Sequence, residues 1–158
     1  MKDLRLVLRD GFVFGVIAGV FAVVVLVGAL FIGREFPLST FSSLTGTALS
    51  FLIMGAAGRK IATVTGNSRS GWQLGALAGG ISELIRTVAI SAILSYSSIG
   101  QAEFNRLSPA EQAGASDPAT QIVNLAIYLG AAIIFGGLAG WLGAWSMLRF
   151  GPPQKPQA

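Results

Sequence analysis

An all-α integral membrane bundle of four helices is the fold class this sequence predicts, and three observations predict it. The chain is 53% hydrophobic and only 11% charged, with a mean hydropathy of +0.68, against roughly 25% charged in a soluble domain. Its apolar residues fall into runs of the length, about 20 residues, that a helix needs to cross a hydrocarbon core of about 30 Å. Three of those runs carry small residues at four-residue spacing, which lets helices approach closely in lipid. With 158 residues there is room for about four such spans and little else, and one compact domain over residues 1–149 is expected.

The first span is expected from about Gly11 to Ile32, after a basic segment with Lys2, Arg5 and Arg9. A cleaved signal would have an apolar region of about 7 to 15 residues and a small-x-small site. This run is longer and ends Leu30-Phe31-Ile32-Gly33-Arg34, so it is expected to be kept as a helix. The second span, about Thr40 to Ala57, is rich in hydroxyls: Ser42, Ser43, Thr45, Thr47 and Ser50. Such side chains bond their own helix backbone or a neighbouring helix, so they are compatible with a span. A basic loop is expected around Thr65-Gly66-Asn67-Ser68, with Arg59, Lys60 and Arg69.

The third span runs from about Trp72 to Tyr96, with an aromatic residue near each interface. In the long connection from Ser97 to Ala119, Ser108-Pro109-Ala110-Glu111 has capping-box spacing and Asp117-Pro118 can start the last helix, so a short surface helix is expected there. The fourth span runs from about Gln121 to Leu148. Residues 150–158 are proline-rich and are expected to form a disordered tail.

Lys2, Arg5, Arg9, Arg59, Lys60, Arg69, Arg149 and Lys155 fall on one side of this arrangement, and Arg34 and Arg106 on the other. The bias of basic residues puts both termini and the middle loop in the cytoplasm and the long connection outside, in a multi-pass protein of the plasma (cytoplasmic) membrane. The same flanking role accounts for the net charge of +4. No basic patch with interleaved aromatics points to a nucleic acid.

Residues 11–19, Gly-Phe-Val-Phe-Gly-Val-Ile-Ala-Gly, align with residues 71–79, Gly-Trp-Gln-Leu-Gly-Ala-Leu-Ala-Gly. The offset suggests two tandem helical hairpins in a parallel repeat. Chance resemblance between glycine-rich helices explains the match equally well. Gly11, Gly15 and Gly19, Gly71, Gly75 and Gly79, and Ala132, Gly136, Gly140 and Ala144 are read as helix-packing positions. They are not a phosphate loop, because no Lys-Ser/Thr follows.

Cys and His are both absent, which removes disulfides, thiol chemistry, most zinc sites and His-ligated haem, so no cofactor or metal is expected. No HExxH, GxSxG or Ser-Lys motif is present at membrane depth, so an enzyme is not expected.

The candidate site is the pair Glu83 and Arg86 within an otherwise apolar span. A charge at the bilayer centre costs at least about 2.5 to 3.5 kcal/mol and normally finds a partner, and residues three apart on a helix can supply one another. At about 100° per residue, Gly75, Gly79, Ser82, Glu83, Arg86, Thr87 and Ser91 share one half of the helix, expected to face protein. Leu74, Leu77, Ile81, Leu84, Ile85 and Val88 share the other, expected to face lipid. Gln121, Asn124 and Tyr128 of the fourth span are further polar contributors.

Two functional classes fit. In one the pair fixes helix rotation in a non-catalytic structural, assembly or accessory protein, whose partners are the bilayer and a second copy or a larger membrane complex. In the other Glu83 is the ion- or proton-coupling site of a small transporter or channel.

Overall fold

The computed structural model describes residues 2–32 and 38–151, with side-chain surroundings outside the description at residues 2, 29–32, 38–44, 94, 99, 100 and 103. The described chain is helical almost throughout: α1 (Lys2–Ile32), α2 (Leu38–Thr65), α3 (Ser68–Tyr96), α4 (Ser98–Phe104), α5 (Pro109–Ser116) and α6 (Pro118–Phe150). Three segments, Asp3–Gly28, Ser68–Ile93 and Pro118–Phe150, are long and apolar enough to cross a membrane. They fit a membrane protein. The hydroxyl-rich α2 is not among them, and residues 40–44 of the expected second span lie where side chains are not described.

Each boundary has a local cause. Gly66 takes the left-handed conformation, φ 64°, and its N–H closes α2 on Ala62 O at 2.9 Å. Asn67 Oδ1 then accepts from Arg69 N at 2.9 Å and starts α3. The expected loop therefore shrinks to two residues, and Arg59 and Lys60 sit on the last turns of α2. Ser97 ends α3 by donating both its N–H and its hydroxyl to Ile93 O. The expected capping box is present: Ser108 N donates to Glu111 Oε2 at 2.8 Å, while Glu111 N donates to Ser108 Oγ at 3.4 Å. Asp117 Oδ2 accepts from Thr120 N at 2.9 Å to open α6. The single surface helix expected here is two short ones, α4 and α5. Phe150, assigned to the tail, is the last residue of α6, whose C-terminal cap is Gly151; residues 152–158 lie outside the described set.

Contacts fix the directions of the long helices. Gly11, Gly15 and Gly19 meet Leu77, Ile81 and Ile85 in order, so α1 and α3 run parallel. Gly71, Gly75 and Gly79 meet Gly140, Gly136 and Ala132 in reverse order, so α3 and α6 are antiparallel. Phe51 packs edge-on against Phe135, with ring centroids 6.2 Å apart, and Gly58 lies against Gly140, so α2 runs with α6. The most extensive interface is α3 with α6, followed by α1 with α3 and α2 with α6.

Two expectations change. Leu74 is fully buried, and Leu77, Ile81 and Ile85 press on the α1 glycines. Only Leu84 and Val88, 45% and 69% exposed, remain open on the face assigned to lipid. The reason is that α3 is flanked on both sides: α6 takes its small-residue ridge and α1, itself lined with glycine, takes its branched ridge. The glycines aligned by the repeat also occupy different interfaces, those of α1 against α3 and those of α3 against α6, so they are not equivalent by contact.

Close packing is uneven along the bundle. Among the described residues, buried positions end at Gly19 in α1 and Glu83 in α3, and begin at Met54 in α2 and Gly136 in α6. All of these lie in the half that ends in Arg5, Arg9, Arg59, Lys60, Arg69 and Arg149.

Candidate functional site: a buried ion pair at the edge of the close-packed half

The fold places Glu83 one turn beyond Gly79, at the last buried position of α3, where the residue is 8% exposed. Its carboxylate is bound twice by the guanidinium of Arg86. Nε donates to Oε2 at 2.9 Å and Nη2 to Oε1 at 2.7 Å. The Thr87 hydroxyl stands 3.5 Å from Oε1, a long contact that adds little. A bidentate arginine–carboxylate pair gains directionality as well as charge, so the side chains of one helix satisfy the carboxylate.

Arg86 is less enclosed than its partner, its side chain 35% exposed. From α6, the Tyr128 ring centroid lies 6.0 Å from the Arg86 Cζ, the outer limit of an effective cation–π contact. Tyr128 is thus brought to the pair as the sequence suggested. Gln121 is not: its amide donates to Ala115 O at 2.6 Å and ties α6 to α5. Ser91 and Asn124 are exposed, and neither is brought to the carboxylate by the described contacts. Ser82 is buried beside the pair at 6% exposure.

A second buried carboxylate escaped the sequence reading. Asp10 of α1 is 6% exposed, with Oδ1 bonded to Arg9 Nε at 2.9 Å and Oδ2 to Lys60 Nζ at 3.0 Å. Lys60 also lies 5.4 Å above the Phe14 ring. This pair joins α1 to α2, whereas Glu83–Arg86 is internal to α3. The available signal was Asp10 itself, a carboxylate at the start of an apolar run, level with a lysine ending the next one.

The packing glycines differ in what surrounds them. A side chain at Gly75, Gly79 or Gly140 would run into the backbone of the facing helix, whereas at Gly11, Gly15 or Gly19 it would meet mainly Leu77, Ile81 or Ile85 side chains. Gly58 and Gly143, not singled out by spacing, are equally confined by Gly140 and Gly55. Gly28, Gly46 and Gly130 have nothing within 4 Å. No group of three or more acidic residues that could hold a metal occurs among the described residues.

No family model, curated protein or solved structure matches this chain.

Proposed function

We propose that the protein is a non-catalytic, multi-pass membrane protein whose four long helices form a glycine-packed bundle serving a structural, assembly or accessory role. The basic-residue bias supports both termini being in the cytoplasm and the plasma (cytoplasmic) membrane as its location. The observation that carries the reading is the closed geometry at Glu83: Arg86 occupies both carboxylate oxygens from the same helix. A carboxylate committed in this way fixes its helix's rotation and is poorly prepared to exchange ions. The backbone contact of Gly79 with Ala132 one turn below supports the same role.

The second reading, an ion- or proton-coupled transporter or channel, draws on the position of Glu83. It lies where buried positions end, with the half-open Arg86 leading away from it. The two readings separate on the variants Glu83→Gln, Arg86→Gln and the double change. A structural pair makes Arg86→Gln destabilising by about 3 to 5 kcal/mol, because it strands the buried Glu83 carboxylate; Glu83→Gln destabilises by less, because the Arg86 side chain it strands is 35% exposed, and the double change recovers much of the loss. Folded yield and melting temperature of the purified protein are the measurements. A Glu83→Gln protein that folds and melts like wild type overturns the structural role and leaves the ion-coupled one.

A further inference from the structure

The triad Arg9, Asp10 and Lys60 is more than a link between two helices. One buried carboxylate holds two cations, one on each oxygen, leaving an excess positive charge. Both cations are open, Arg9 with 67% and Lys60 with 56% of the side chain exposed. Arg9 uses Nε on Asp10, and its two Nη groups are further donors of the planar guanidinium fork. Lys60 Nζ likewise has more donors than one contact uses. Two cations held side by side by a buried anion match the charge and donor pattern a phosphodiester needs.

The surface alongside is apolar. From Arg9, α1 continues at three- and four-residue steps through Val13, Ile17, Val20 and Val24, exposed by 47%, 39%, 50% and 60%. From Lys60, α2 continues in the same way through Ala56 and Leu52, both exposed, the latter by 71%. Residues at these steps share one helix face. Each cation therefore heads an apolar track directed into the membrane, the arrangement that a charged head joined to two hydrocarbon chains would complement.

We infer that the α1–α2 seam is a binding site for an anionic phospholipid, its phosphate on Arg9 and Lys60 and its acyl chains along the two tracks. Asp10 is the positioning residue that holds the cations together. The inference requires only that these helices cross a bilayer, independently of what Glu83 does.

The test uses the full chain, purified in detergent and titrated with phosphatidylglycerol or phosphatidylcholine. Lipid retention is read by native mass spectrometry, and membrane integration by alkaline extraction before purification. Wild type should retain phosphatidylglycerol in preference to phosphatidylcholine. Arg9→Gln and Lys60→Gln should each weaken phosphatidylglycerol binding about fivefold, the contribution expected of one cation near an anionic headgroup. Lys60→Arg should retain it. Arg69→Gln, which removes an exposed charge at the same end, should bind as wild type does. If Lys60→Gln fails to fold, the Arg9→Gln result decides. Equal retention of the two lipids by wild type, or equal losses in Arg69→Gln and Arg9→Gln, overturns the site. A protein absent from the membrane fraction overturns the membrane reading itself.

Discussion

Replacing Gly75 with alanine adds a single methyl group at the α3–α6 crossing, and its effect follows from geometry. The new Cβ would overlap the Gly136 carbonyl and stand 3.0 Å from Gly140 Cα. Optimal carbon–carbon separation is about 3.5 to 4.0 Å, so the helices must part by roughly 1 Å. Neither obstacle is a side chain that can rotate aside. Overpacking of this kind costs about 1 to 3 kcal/mol, while alanine's better helix propensity returns up to about 1 kcal/mol.

The same substitution at Gly130 isolates the two terms, because that glycine is on α6 with nothing within 4 Å. Propensity is common to both variants. Their difference in stability is therefore the steric cost, about 1 to 3 kcal/mol, or roughly fivefold to 150-fold in the unfolding equilibrium. Gly19→Ala should fall between them, since its neighbours at 2.9 to 3.1 Å are Ile85 side-chain atoms, which give way more readily than backbone. The assay is reversible unfolding in mixed micelles followed by the helical signal. Equal stabilities for Gly75→Ala and Gly130→Ala would show that close approach at this crossing contributes nothing, and the packing argument would be wrong.

Reporter fusions after Ala158 and near Gly66 should report cytoplasm and one near Ala113 the opposite side; a cytoplasmic Ala113 fusion would contradict the four-span topology proposed above. Val88→Ala, 69% exposed on α3, should leave the micelle melting temperature close to that of wild type, whereas Leu77→Ala should lower it because Leu77 packs on Gly11. The helix cap at Ser108 should respond to acid. The Ser108 hydroxyl, and then its backbone N–H, donate to Glu111 and hold its pKa below the ordinary 4.5. With the folded value depressed, the cap's contribution is complete above that pH and is lost as the pH falls through the folded value. Amide-exchange protection across α5 should therefore decline between about pH 5 and pH 2, and Glu111→Gln should remove the dependence; protection unchanged over that range would refute the link.

The elements that could be read from the sequence are those whose signals are local. Ser108 and Asp117 announce helix starts because a cap is completed within three residues, whereas Asn67, read as part of a loop, caps α3 in the same local way. Glu83 and Arg86 could be paired in advance because a helix places residues three apart on one face whatever surrounds them. The assignment of lipid to Leu77, Ile81 and Ile85 failed for the complementary reason. Hydrophobicity separates polar from apolar faces, but inside a bilayer both lipid and a neighbouring helix accept apolar side chains. What places those three residues against α1 is the shape of their partner, Gly11, Gly15 and Gly19, and shape complementarity belongs to two helices at once.

Asp10 and Lys60 show the same limit for charge. They are fifty residues apart, and each has an ordinary local meaning at a membrane boundary, one acidic residue and one basic flank. Only the antiparallel register of α1 and α2 brings Lys60 Nζ to 3.0 Å from Asp10 Oδ2. A register error of one turn would move either residue by about 5.4 Å, enough to break the contact and leave a buried carboxylate with Arg9 alone. The pair therefore specifies how α1 and α2 align, while Glu83–Arg86, internal to α3, does not constrain how far that helix slides against its neighbours. The glycine ridges repeat every four residues and tolerate sliding by a turn more readily than a unique charge does, so Asp10 with Lys60 is the device here that can set the register.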